Sequence, residues 1–207
     1  MSSFAQKAKE WLVGMPQEGV LADPAKIHIS QVGDEVFNAA AQNATANCGP
    51  AAVIMAIRML NLPVPGDERY KGEHLIEYIR VMATGQADRM RGTTNVDLQR
   101  VLAQAGASWR ILTHPKDMLR AVVNGEPVIM AGNPSVAGCY TKRFSYFDIR
   151  RWDSGHWILV SQYNPETRLF TVNDPQSVIG PVDVTADELY AFNSRDGDFG
   201  IAVRRSA

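Results

Sequence analysis

The sequence predicts an α+β domain, with helices in its first half and a mostly antiparallel sheet in its second. Three observations carry that prediction. Cys48 to Leu60 holds one charged residue, Arg58, in thirteen, the composition of a helix buried on nearly every side. His74 to Met82 and Asn95 to Ala105 place apolar residues at helical spacing. His156 to Tyr163 and Arg168 to Asn173 then read as two strands joined by the turn Asn164-Pro165-Glu166-Thr167.

The remaining elements follow in chain order. Phe4 to Val13 has a weak helical pattern that Pro16 and Gly19 break. Lys26 to Gln31 reads as a short strand, and Gly33 to Asn47 as an irregular approach to Cys48. Asn47 is the predicted N-cap of the buried helix, and Pro50 is tolerated in its first turn, where no intrahelical N–H bond is lost. Leu62-Pro63-Val64-Pro65-Gly66 ends that helix, and Gly92-Thr93-Thr94 opens the one at Asn95. Trp109 to Leu112 reads as a strand, Lys116 to Val123 as a short helix closed by Asn124-Gly125, and Pro127 to Ala131 as a buried strand. Gly132 to Gly155 is polar and aromatic without clear periodicity, and a loop that long in a compact domain is usually functional or mobile. Ala186 to Phe192 is the closing helix and Phe199 to Arg204 the last strand.

At 207 residues the chain fits one domain, with residues 1–35 as an N-terminal arm of open role and 36–207 as the folded unit. A net charge of −1 with interspersed signs argues against nucleic acid as a partner. No run of eighteen apolar residues occurs, so no membrane span is expected. Cys48 and Cys139 make no disulfide framework, and the N-terminus lacks a signal-peptide core. A cytoplasmic location is therefore the default expectation, and export without a cleavable signal would leave the same sequence. His28, His74 and His114 have no metal-ligand spacing, so neither metal nor cofactor is expected.

The chemistry concentrates at Cys48. A thiol at a helix N-terminus feels the positive end of the helix dipole and unpaired backbone N–H groups, which favour the nucleophilic thiolate. Gln42, six residues upstream, can fold back and donate its amide to a developing oxyanion. His156 is the candidate base and Asp174 the candidate orienter, with Asn173 as the alternative. A hairpin pivoting near Pro165 pairs His156 with Asp174, which would set the carboxylate on Nδ1–H and turn Nε2 to the thiol. Cys139 lacks such a context and reads as a bystander. The aromatic residues Tyr140, Phe144, Tyr146, Phe147, Trp152 and Trp157 around the histidine read as substrate subsites or rim packing.

These pieces resemble the papain-like cysteine peptidases of the bacteriocin-leader-processing type, which cut after a double glycine, and more closely their stand-alone relatives. The resemblance rests on Gln42 with Cys48-Gly49-Pro50-Ala51-Ala52, Gly92-Thr93-Thr94, Gly125-Glu126-Pro127-Val128-Ile129, Gly155-His156-Trp157-Ile158-Leu159-Val160 and Val172-Asn173-Asp174-Pro175, in that order, from Gln42 to Val203. It implies a papain-like fold, a peptide or protein substrate, Cys48 as nucleophile, His156 as base, Asp174 as orienter and Gln42 in the oxyanion hole. No Walker-type phosphate loop accompanies them. Two other functions fit the same residues: an amidase or acyltransferase acting on a non-protein amide, and a catalytically dead peptide-binding module.

Overall fold

A computed structural model describes residues 21–30, 46–88, 91–143, 155–177, 179–194 and 199–206. Within them the helices are α1 (Pro24–Ile27), α2 (Cys48–Met59), α3 (Gly72–Thr84), α4 (Asn95–Gln104), α5 (Pro115–Val123) and α6 (Ala186–Asn193). The strands are β1 (Ala107–Leu112), β2 (Val128–Gly132), β3 (His156–Asn164), β4 (Leu169–Asn173), β5 (Val182–Val184) and β6 (Gly200–Arg205), and Tyr140–Arg143 forms a 3₁₀ turn. The architecture is α+β, as the sequence predicts.

The strands make one sheet in the order β1-β6-β2-β3-β4-β5, every pair antiparallel. Alternation along each strand sends neighbours to opposite faces. Ile129, Leu159 and Ile201 join the core under α2, α3 and α4, whereas Val128, Met130, Ile158 and Val160 join the core under α5 and α6. Helix α2 lies against β3 in the first of these layers, and all its residues except Arg58 are buried. Each fully buried aliphatic side chain contributes about 1.5–3 kcal/mol, so the five at Val53, Ile54, Met55, Ile57 and Met59 hold the start of α2 in one place.

Two expectations give way here. Lys26 to Gln31 is not a strand over its described residues: Asp23 accepts from the Ala25 N–H at 3.0 Å and Pro24 takes the first helical position, so a single helical turn forms instead. The β3–β4 register also differs. Pairing runs Asn164↔Leu169, Tyr163↔Phe170 and Gln162↔Thr171, then shifts at a bulge to Val160↔Val172 and Leu159↔Asn173. The hairpin pivots beyond Pro165 because Arg168, at φ 61, closes the turn by donating its N–H to the Asn164 carbonyl at 2.8 Å. Strand β4 ends at Asn173, so Asp174 lies outside the ladder rather than opposite His156.

Candidate active site

Cys48 is the first residue of α2, His156 the first of β3, and Asp174 the first residue past β4. All three are buried, His156 and Asp174 to about 1% exposure. His156 meets Asp174 through Nε2, at 2.8 Å from Oδ1. The expected arrangement had Nδ1 on the carboxylate. Because Asp174 approaches from a strand end and not from the opposed position on β4, it reaches the distal ring nitrogen, and Nδ1 is the nitrogen left for the thiol. His156 and Cys48 each shift the other's titration, which sets the thiol beside the ring. Asn173, the alternative orienter, points elsewhere: its amide donates to the Pro24 carbonyl at 2.8 Å.

The charges on this row support one another. Burial by itself raises the Cys48 thiol, but the hydrogen bond and charge of His156, with backbone hydrogen bonds from Trp157 and Gly49, bring it below its ordinary value. Burial lowers His156, yet the Asp174 carboxylate and the Cys48 sulfur together push it up to about 10. Burial raises Asp174, and His156, Tyr140 and the Gln176 N–H hold it below the usual carboxylate range. A lowered thiol and a raised imidazole both shift the pair toward thiolate and imidazolium.

Asp174 has two further donors. The Tyr140 hydroxyl donates to Oδ2 at 2.5 Å and the Gln176 N–H to Oδ1 at 2.8 Å. Tyr140 is fully buried, so it is neither a subsite nor a rim residue. Phe192 packs between them, its ring edge-on to His156 at 6.3 Å and tilted against Tyr140 at 6.0 Å. Gly132, opposite His156 in the ladder, admits that ring: a Cβ there would stand 2.3 Å from Phe192.

The residues that begin α2 are set from two sides. A Cβ on Gly49 would lie 1.8 Å from the Thr93 hydroxyl, so only glycine lets Thr93 close on the helix start. Trp157 donates Nε1–H to the Thr93 carbonyl at 3.0 Å, tying the Gly-Thr-Thr segment to β3. Asn47 occupies the N-cap position but its side chain caps nothing; its Oδ1 instead accepts from Arg80 Nε at 2.9 Å and Nη2 at 2.5 Å. The segment from Leu21 to Ser30 crosses the Asp174 turn: His28 Nε2 is 2.8 Å from the Ser177 carbonyl, and Ser30 donates to the Pro175 carbonyl at 3.4 Å.

Gln42 lies outside the described residues, as do Phe144, Tyr146, Phe147 and Trp152. Cys139 is buried, its thiol raised by burial, and both cysteines are free. Among the described residues no group of three or more His, Cys, Asp or Glu side chains is placed to hold a metal ion, and no helix is long and apolar enough to cross a membrane. Sequence reasoning gave Tyr140 another role, as a subsite or rim residue, and missed Arg80. Arg80 had a signal: it falls on the buried stripe Glu73, Ile76, Arg80, Ala83 of α3, where a cation needs a partner.

The model of the Peptidase_C39 like family matches residues 35–192. Among solved structures, a putative C39-like peptidase from Bacillus anthracis aligns over 92% of this chain and 99% of its own, at 14% identity and a TM-score of 0.56. A double glycine motif protease from an AMS/PCAT transporter, solved in complex with the leader peptide, aligns over 92% of this chain and 96% of its own, at 14% identity and a TM-score of 0.52. At such identities these likenesses speak to fold. No curated protein sequence matches the chain.

Proposed function

Since the chain belongs to the Peptidase_C39 like family, we propose that it is a cysteine peptidase that hydrolyses a peptide or isopeptide bond with Cys48, His156 and Asp174 as its triad. The single observation that carries this reading is the buried row Cys48–His156–Asp174, in which the imidazole stands 2.8 Å from the carboxylate and shares a mutual electrostatic influence with the thiol.

The Cys48 thiolate attacks the scissile carbonyl carbon, forming a C–S bond while the carbonyl electron pair moves onto oxygen. The Cys48 backbone N–H and Gln42 form the oxyanion hole, where one donor is worth about 3–4 kcal/mol to the tetrahedral intermediate. The imidazolium of His156 protonates the departing amine, and the C–N bond breaks to leave a thioester. Water then attacks that thioester, its proton taken by neutral His156, and the acid product leaves as the thiol is restored. Asp174 never gives up its charge; it holds the ring and stabilises the imidazolium.

A peptide is the substrate class, in line with the leader peptide bound by the double glycine motif protease of similar fold. Residues 36–207 form the peptidase domain. Residues 1–35 form an arm, and its contacts from Pro24, His28 and Ser30 to residues 173–177 support a packing role beside Asp174.

Iodoacetamide labelling near neutral pH, with mapping of the modified cysteine, tests this reading. Fast labelling of Cys48, slowed by His156→Ala, is the expected result. Equal and slow labelling of Cys48 and Cys139 would reject an activated thiol. Cys48→Ala should then keep its circular dichroism spectrum and lose all turnover of any peptide that the native chain cleaves.

A further inference from the structure

Arg80 stands in the middle of α3 at 1% exposure, an expensive place for a charge that the triad does not use. Its guanidinium makes five hydrogen bonds, and all end on neutral oxygens. Two go to Asn47 Oδ1, at 2.9 and 2.5 Å. One goes to the Ala46 carbonyl, one to the Arg91 carbonyl at 2.7 Å and one to the Asp88 carbonyl at 3.2 Å. Those bonds satisfy the donors without themselves supplying a counter-charge. The triad has the opposite imbalance: with Cys48 as thiolate and His156 as imidazolium, Asp174 leaves the buried row one negative charge in excess.

We propose that Arg80 is a positioning residue for the Cys48 nucleophile: its guanidinium supplies the positive charge that balances the buried thiolate, and its bonds to Ala46 and Asn47 fix the two residues ahead of it. This rests on the peptidase reading and adds to it a residue from outside the Cys-His-Asp row. Arginine suits the task because its planar fork bonds several acceptors at once and it stays protonated when buried. Burial draws the guanidinium's pKa down, while the charges of Cys48 and Asp88 draw it back up, and the bonds to Ala46 and Asn47 place the guanidinium beside the start of α2. The charged groups in play are His156 from β3 with Asp174 behind it, Asp88 beyond the end of α3, and Glu73 two turns back on α3 itself.

The test is the pH profile of iodoacetamide labelling at Cys48 in the full chain and in Arg80→Gln, Arg80→Met and Arg80→Lys, with circular dichroism to select folded variants. In Gln and Met variants the midpoint should rise by at least one pH unit, about tenfold less thiolate below the midpoint. Arg80→Lys keeps the charge and should hold the midpoint within half a unit of the native value. Either folded neutral variant titrating like the native chain would overturn the proposal. So would Arg80→Lys moving a full unit upward, which decides the matter if neither neutral variant folds. Failure of the native chain to label Cys48 faster than Cys139 would sink the peptidase reading instead, so the two failures read differently.

Discussion

Asp174→Asn is the most informative single change, because it keeps the shape of the orienter and removes its charge. The carboxylate and imidazolium touch at 2.8 Å, which puts their charge centres about 4 Å apart. At an effective dielectric constant of about 20 that separation is worth about 4 kcal/mol, or about three pKa units on the histidine. His156 stands at about 10 in the native protein, so the variant's imidazolium should lose its proton near pH 7. Two readouts follow. The ¹⁵N shift of the His156 ring reports that proton directly. The labelling midpoint of Cys48 should rise by two to three units, since the imidazolium that favours the thiolate is no longer held. Stability should change with a definite sign as well. Asp174 has a depressed pKa, so its contribution is present above the unfolded carboxylate range and is lost as pH falls through the folded value. His156 has a raised pKa, so its contribution is full below about 6.5 and fades as pH climbs to about 10. The native protein therefore gains most from the pair at mildly acidic pH, and the variant should lose that maximum. A folded Asp174→Asn protein with the native His156 titration and the native labelling profile would refute this electrostatic account.

Other changes probe the surroundings of the row. Tyr140→Phe deletes one of three donors to a buried carboxylate; urea unfolding at neutral pH should show a loss of about 1.5–3 kcal/mol that shrinks as Asp174 protonates in acid. A loss independent of pH would assign Tyr140 to packing alone. Gly49→Ala drives a methyl group into the Thr93 hydroxyl and should cost about 1–3 kcal/mol by thermal unfolding, with slower Cys48 labelling as α2 shifts.

Most of the scaffold could be read from residue order because its signals are local. Cys48 to Leu60 is nearly uncharged, and only a helix can be buried on all sides over that length; its observed span is Cys48–Met59. Thr94 and Asp97 form a capping box at the start of α4, so the Gly92-Thr93-Thr94 segment opened a helix as expected. Strand β5, three residues between Gly180 and Thr185, is too short for alternation to register and went unread. The β3–β4 register went astray for a related reason: a bulge near Ser161 and the left-handed Arg168 each displace the pairing, and neither leaves a period in the sequence. Within the candidate site, the contact between His156 and Asp174 was legible, whereas the ring nitrogen that faces the carboxylate depends on where β4 stops. Tyr140 and Arg80 reach the site from a loop and from a separate helix, and only the packed chain reveals what they touch.

The three candidate site residues share a structural address, and that address suits buried charge. Each sits at the edge of a regular element, where backbone N–H groups are not committed to an internal ladder. The sulfur draws on N–H groups of Gly49 and Trp157, the carboxylate on that of Gln176. Deep inside a helix or strand those donors would be taken, and a buried thiolate or carboxylate would have to neutralise itself instead. Fixed donors replace water at both anions, and the imidazolium between them belongs to both. The same reasoning accounts for the burial of Arg80: its donors are consumed by carbonyl oxygens and the Asn47 amide oxygen. A buried row of side chains is then suited to hold charge because element ends supply its hydrogen bonds and, on our proposal, α3 supplies its counter-charge.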